Sequence, residues 1–262
     1  MAVSLQEFLL ALLLALLFAF AMTRMRVLTK GGAMMAGLIG LSVITGKGWW
    51  WLLPLLFFLG SGVLLGRLNR TARTDAKHGK PRDAMQVFCS GGTYALLAHL
   101  SLWPSSEAFM SVSICVATCD TWASEVGMYA RWHTWNILTF RKVQPGLSGG
   151  VSVAGLLGGL LGAALMALLC WWLIGRNAGE GIGMLLVLAP MHLYIVGCFT
   201  LAGAAGMLLD SALGAALQVK YDDGQGPSDV GTDRSGGLRW ITNDMVNLMS
   251  NAVIIIAIAL LW

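Results

Sequence analysis

The chain has 262 residues, of which 57% are hydrophobic and only 11% charged, with a mean hydropathy of +0.73. An ordinary soluble domain is about 25% charged, so the composition excludes one and predicts an integral membrane protein. The net charge of +4 sits in clusters between apolar segments, where it reports topology and not affinity for nucleic acid.

Apolar segments cover residues 5–22, 32–45, 49–66, 84–103, 108–128, 151–174, 183–219 and 241–262. Most approach the roughly 20 residues that cross hydrocarbon as a helix, although 32–45 is short and either spans or is re-entrant. The predicted fold is an all-α polytopic transmembrane helical bundle of seven or eight segments. It forms a single integral membrane domain over 1–262, with the functional motifs in 80–250. Residues 183–219 are too many for one plain span, which predicts a tilt or a break near Gly203 and Gly206.

Basic residues follow the first, third, fifth and seventh segments: Arg24 and Arg26, then Arg67 to Arg82, then Arg131 to Lys142, then Lys220 to Arg239. With eight crossings these clusters fall on one side, the cytoplasm by the positive-inside rule, and both termini lie outside. In a bacterium the membrane would be the cell inner membrane. The first segment ends in Ala19-Phe20-Ala21, which imitates a cleavage site. Glu7 precedes the apolar run and arginines follow it, the reverse of a signal peptide, so a retained helix is expected. The five cysteines lie in apolar segments without a C-x-x-C spacing and read as small packing residues.

Segments one to three carry glycines suited to close packing, and Trp49, Trp50 and Trp51 suggest an outer interfacial anchor. The charge run that follows serves topology and attracts anionic lipid. Its end is more pointed: Lys80, Arg82, Asp83 and Gln86 place cations, an acid and an amide at the mouth of the fourth segment, where they suit a phosphate and its metal.

The fifth segment holds Asp120 and Glu125. Five residues apart on a helix, they point about 140° from one another. An acid at mid-span costs about 2.5 to 3.5 kcal/mol, whereas a leucine returns only about 0.3 to 0.6, so a chain that only needed to span would not keep Asp120. The bland alternative is an acid near the interface that pairs with a loop arginine.

Lys142, Gly146, Ser148, Gly149, Gly150 and Ser152 lie in a loop that ends where the sixth helix begins. Glycines let backbone approach a ligand, and free N–H groups at a helix start attract anions. The plain reading is a turn capped by Ser148 or Ser152. Gly155, Gly158, Gly159 and Gly162 beyond it suit helix packing. In the seventh segment Gly206, Asp210, Gly214 and Gln218 recur every four residues, a stripe that sets one acid among residues small enough to admit another helix or a ligand, and His192 reads as a packed, hydrogen-bonded residue. The loop 221–239, rich in glycine and aspartate, reads as a solvated linker or lid. Asn243, Asp244, Asn247 and Asn251 open the eighth helix, either as interhelical glue or as ligands.

The pieces in order are Arg82-Asp83-Ala84-x-Gln86-Val87, Asp120-Thr121-Trp122-Ala123-Ser124-Glu125-Val126-Gly127, Pro145-Gly146-x-x-Gly149-Gly150-Val151-Ser152, Asp210-Ser211-x-x-Gly214-x-x-x-Gln218 and Asn243-Asp244-x-x-Asn247. Together they resemble an integral membrane family, domain of unknown function 92, that includes the plastid phytyl-phosphate kinase of tocopherol synthesis and animal transmembrane protein 19. The family usually has asparagine where Ser90 stands and Thr-Asn where Leu147-Ser148 stands.

The resemblance implies phosphoryl transfer from a nucleoside triphosphate, CTP being one candidate, to a membrane isoprenyl monophosphate of the phytyl, geranylgeranyl or farnesyl type. Under it, Asp120, Asp210 and Asp244 would bind Mg²⁺, joined by Glu125 and Asn247. Asp120, Glu125 and Lys142 would act at the reacting groups. Lys80, Arg82, Gln86, Ser148, Ser152, Asn243 and Asn247 would contact phosphates or substrate, and Gly146, Gly149 and Gly150 would approach them through backbone N–H groups. An acceptor phosphate is already largely anionic at neutral pH, so no base is required; bringing two polyanions together is the difficulty, and cations meet it. The tail would lie between glycine-rich helices, in the lipid bilayer, and a homo-oligomer is compatible with this. The rival classes are a transporter or flippase for a lipid phosphate, marked by internal repeats and mid-bilayer acids, and an isoprenol kinase or cytidylyltransferase.

Overall fold

The computed structural model describes residues 4–70, 81–100, 106–177, 189–222, 227–229 and 231–261. Among them are eight α-helices: α1 (Leu5–Arg24), α2 (Lys30–Lys47), α3 (Leu52–Arg70), α4 (Ala84–Leu97), α5 (Ser106–Ala130), α6 (Val153–Asn177), α7 (Ala189–Ala216) and α8 (Asn243–Leu261). By length and composition five helical stretches can cross a membrane: Leu5–Arg24, Trp49–Leu68, Val153–Asn177, Leu193–Ala216 and Asn243–Leu261. The mostly all-α membrane fold thus follows the apolar pattern.

Of the other three helices, α4 and α5 differ for physical reasons. α4 ends at Leu97 after 14 residues, about 21 Å of rise, and packs beside α2. α5 is 25 residues long but carries Ser111, Ser113, Thr118 and Asp120. It packs against α3, α4, α6, α7 and α8, and this enclosure lets so polar a helix sit in the bundle. Met110, Ile114, Cys115 and Cys119 along it are fully buried. α1 is the opposite case: only Ala11 is buried, and Leu9, Leu13, Leu16 and Phe20 face outward, as lipid-facing side chains do.

Glycines set the close approaches. On α6, a Cβ at Gly162 would lie 2.6 Å from the Trp122 ring, and one at Gly159 would lie 2.8 Å from the Cys119 carbonyl. Of the tilt or break expected near Gly203 and Gly206, the break does not occur, because α7 runs unbroken through both. A Cβ at Gly203 would stand 3.0 Å from the Cys115 carbonyl, and one at Gly206 2.5 Å from Val116. These glycines admit α5. Residues 183–188 of the expected segment lie outside the described residues, as does the side chain of His192.

The tryptophan run also divides. Gly48 (φ +89°) ends α2 and turns the chain into the short 3-10 turn Trp49–Trp51. Trp50 is exposed and stacks against the Arg176 guanidinium, 3.9 Å from the ring centre. Trp51 is fully buried, and its carbonyl accepts from the Tyr94 hydroxyl at 2.8 Å, so it belongs to the core and not to an interfacial anchor. At the same end of the bundle Lys47 pairs with Glu107 at 2.8 Å.

At the other end two small antiparallel sheets replace what the sequence reads as loops. β1 (Thr134–Asn136) lies between β2 (Lys142–Val143) and β3 (Gly150–Val151). β4 (Lys220–Asp222) lies between β5 (Pro227–Ser228) and β6 (Asp233–Gly236). The first sheet carries the glycine loop, and the second stands over it.

Candidate functional site

At this end a cavity of about 500 Å³ opens between the start of α4, the second half of α5, the glycine loop, the end of α7 and the start of α8. Each wall owes its place to a local feature of the chain. Asp83 caps α4, accepting from Gln86 N–H at 3.0 Å while Gln86 Oε1 accepts from Asp83 N–H at 3.1 Å. That cap fixes Arg82 just before the helix. Its backbone is held further by Val27 and Thr29, through hydrogen bonds of 3.0 and 2.9 Å.

The Arg82 side chain lies over the Phe58 ring, 5.7 Å from its centre. It fits because Gly62 has no side chain: a Cβ there would be 3.1 Å from Arg82 Nη2 and 3.3 Å from Thr121 Cγ2. One turn on, a Cβ at Gly66 would be 3.7 Å from Glu125 Oε1. Gly62 on α3 therefore makes room for the arginine on the cavity wall, while a side chain at Gly66 would meet Glu125 only in ordinary contact. Burial pulls the Arg82 guanidinium below its ordinary pKa, and Glu125 opposes that shift.

Asp120, Asp210 and Asp244 also bound the cavity. Asp210 Oδ1 accepts from Ser250 Oγ at 3.2 Å. The Asn247 amide, with its nitrogen toward Asp210, donates to the same oxygen at 2.9 Å and to the Asn243 carbonyl at 3.2 Å. Beneath them lies a space of about 10 Å³ bounded by Asp120, Asp210, Asn247 and Ser250, close to the size of one water-sized sphere. Among the described residues no group of three or more His, Cys, Asp or Glu could hold a metal by themselves. Apart from the Cys89 sulfur, the donors that line this space are mostly hard oxygens, those of Asp120, Thr121, Asp210 and Ser250 among them. That set suits Mg²⁺, which is held by one or two carboxylates together with waters and substrate phosphates.

The glycine loop folds over α7. Gly146 and Gly149 have φ of +90° and +83°. A Cβ at Gly149 would also collide with Ala215, so only glycine lets the loop lie against α7. Ser148 donates its hydroxyl to Gln218 at 2.6 Å and its N–H to Asp229 Oδ2 at 3.0 Å. Ser152 caps α6 by accepting from Gly155 N–H at 3.1 Å.

The structure thus brings Arg82, Gln86, Asp120, Glu125, Gly146, Ser148, Gly149, Gly150, Ser152, Asp210, Asn243, Asp244 and Asn247 to one cavity. Lys142 is exposed on β2 and does not line it, and Lys80 lies outside the described residues. Asn251 turns inward instead, its Nδ2 donating to the Ser113 carbonyl at 3.0 Å. Tyr221 and Asp229, from the stretch read as linker or lid, belong to the wall. Nothing in the spacing of Asp222, Asp229 and Asp233 singles out the one that reaches the loop. Ser250 was legible in principle, as the residue three beyond Asn247 on the same helical face.

Comparison with known proteins supplies the affiliation. The family described as integral membrane protein DUF92 matches residues 13–255. The chain belongs to this DUF92 family. An uncharacterized membrane protein of Methanocaldococcus jannaschii is 29% identical over 213 residues, covering 80% of this chain and 83% of the relative. An uncharacterized membrane protein of Synechocystis is 30% identical over 258 residues, covering 94% and 84%. Protein PGR of Arabidopsis thaliana is 30% identical over 188 residues, covering 63% of each chain. No solved structure matches this DUF92 protein.

Proposed function

We propose that this DUF92 protein is an isoprenyl-phosphate kinase that uses a nucleoside triphosphate to convert a membrane isoprenyl monophosphate into the diphosphate. The observation that carries the reading is the meeting of Asp120 and Asp210 with Arg82 and the glycine loop in one cavity at one end of the bundle. Anionic and cationic groups face each other there as a pair of phosphates and their counterion require. The arginine and lysine clusters near that end favour the cytoplasmic side, where nucleotides are found.

In this reading Arg82 holds the acceptor phosphate and the N–H groups around Gly149 and Gly150 receive the donor phosphates. An acceptor oxygen attacks the γ-phosphorus; the new P–O bond forms as the bond to the β-phosphate oxygen breaks, and the nucleoside diphosphate leaves. The acceptor arrives deprotonated, so no residue has to remove a proton. Asp120 and Asp210, with Asp244, would hold Mg²⁺, whose chemistry there would be neutralisation of charge on the transferring group. Asn247 and Ser250 keep Asp210 oriented toward that space.

A carrier fits less well. The polar residues named here gather at one end, while the other end holds the Lys47–Glu107 pair and the Trp50–Arg176 stack.

The test is incubation of purified protein with Mg²⁺, each γ-labelled nucleotide and a panel of prenols and prenyl phosphates. Labelled prenyl diphosphate supports the proposal. Labelled monophosphate made from prenols would instead mark an isoprenol kinase, a nucleotide-bearing lipid a cytidylyltransferase, and nucleotide-independent uptake into vesicles a carrier.

A further inference from the structure

A second cavity, of about 310 Å³, lies between α1, α2, α3 and α4, and its walls are almost wholly hydrocarbon. Ala15 and Phe18 come from α1, Gly37 and Gly40 from α2, and Leu55 and Phe58 from α3. Arg82 and Ser90 belong both to this wall and to the wall of the polar cavity. The two spaces therefore meet at the start of α4, and the Arg82 guanidinium, lying over Phe58, stands at the junction.

We infer that the apolar cavity receives the hydrocarbon chain of the lipid phosphate, with Arg82 holding the phosphate at its mouth. The identity of the headgroup rests on the kinase reading; the place of the chain rests on the adjoining cavities alone. Water is a poor occupant, since it needs two to four polar partners and these walls provide few, whereas apolar cavities stay dry and take hydrocarbon. An engineered apolar cavity of about 150 Å³ holds one benzene, six carbons, so this cavity holds roughly a dozen carbons, or two to three isoprene units. Carbons beyond that number lie outside it, in the bilayer.

The glycines of α2 give the cavity its room. A Cβ at Gly40 would meet only Leu52 Cδ2, at 3.7 Å, which is ordinary contact. Gly40→Phe therefore keeps the helix and places a ring in the space.

Two measurements test the inference. A geranyl phosphate bearing a diazirine at its far end, photolysed with the protein in nanodiscs, should label cavity residues of α1, α2 and α3, and farnesyl phosphate should compete. Labels spread over outward-facing residues of α1 would overturn it. With Gly40→Phe, kcat/KM for farnesyl phosphate should fall at least about tenfold further than that for dimethylallyl phosphate. An equal loss for both acceptors, or no loss, would also overturn it. Labelling of the cavity without any diphosphate product would keep the chain site and remove the kinase reading; product with labels outside the cavity would do the reverse.

Discussion

The backbone N–H of Ser148 donates to Asp229 Oδ2 at 3.0 Å, across 81 residues of sequence. A carboxylate of the protein thus sits on a glycine-loop N–H of the kind that binds phosphate elsewhere. If the loop receives the donor phosphates, Asp229 competes with them. Asp229→Asn keeps a side chain of the same shape and removes the charge, so nucleotide binding should tighten by about two- to fivefold, the worth of one such charge near a cluster of N–H groups. Equilibrium binding of a non-hydrolysable nucleotide measures this, and weaker binding in the variant would show that Asp229 serves the site by orienting the loop.

Asp120 and Asp210 make a second prediction, read without any turnover. Asp120 and Asp210 bound one small interior space, and a cation seated there would bind the folded protein alone, so Mg²⁺ should raise the melting temperature of the wild-type protein in detergent. Asp120→Asn removes one of the two acids. It should melt at or above the metal-free wild type, gain nothing from Mg²⁺, and lose phosphoryl transfer by at least about a hundredfold. Full activity in a folded Asp120→Asn protein would remove the metal assignment.

The legible parts of the sequence are those where one physical rule acts alone. Long apolar runs become helices, and Asp120, Asp210 and Arg82 stand out because charge in hydrocarbon is costly. Glycine is ambiguous, since the absence of a side chain either loosens a helix or lets another approach. Gly203 reads as the first and does the second; Gly206, one turn from Asp210, reads as either and does the second. Trp51 differs from Trp50 only by a rotation about the helical turn, which decides whether the indole meets the core or the surface. The role of Asp229 depends on a partner far away in sequence and on strands of two to four residues, too short for a periodic pattern.

Arg82 and Lys142 separate a cation on the cavity wall from a cation near it. Arg82 lines both cavities, whereas Lys142 is exposed on β2 and lines neither. Arg82→Gln should lower kcat/KM for the acceptor by about tenfold to a hundredfold, the loss of a charge-assisted hydrogen bond to an anion. Lys142→Gln should leave it within about twofold, as surface substitutions do. Steady-state kinetics with the acceptor varied checks both. A large effect at Lys142 would mean that β2 closes on the nucleotide during turnover.

Gly206 tests the packing that holds the acids in register. A Cβ there would sit 2.5 Å from Val116 Cγ1, and Val116 is buried on α5 four residues before Asp120. Gly206→Ala must push α7 from α5, which costs about 1 to 3 kcal/mol as overpacking does. The shift also carries Asp210, one turn along α7, away from Asp120, so the Mg²⁺-dependent rise in melting temperature should shrink together with basal stability. Gly197→Ala is the control. No atom lies within 4 Å of a Cβ placed at Gly197, so the same substitution should gain about 1 kcal/mol from helix propensity and leave the metal response intact. Thermal unfolding of both variants with and without Mg²⁺ distinguishes a glycine that admits a neighbouring helix from one that faces open space.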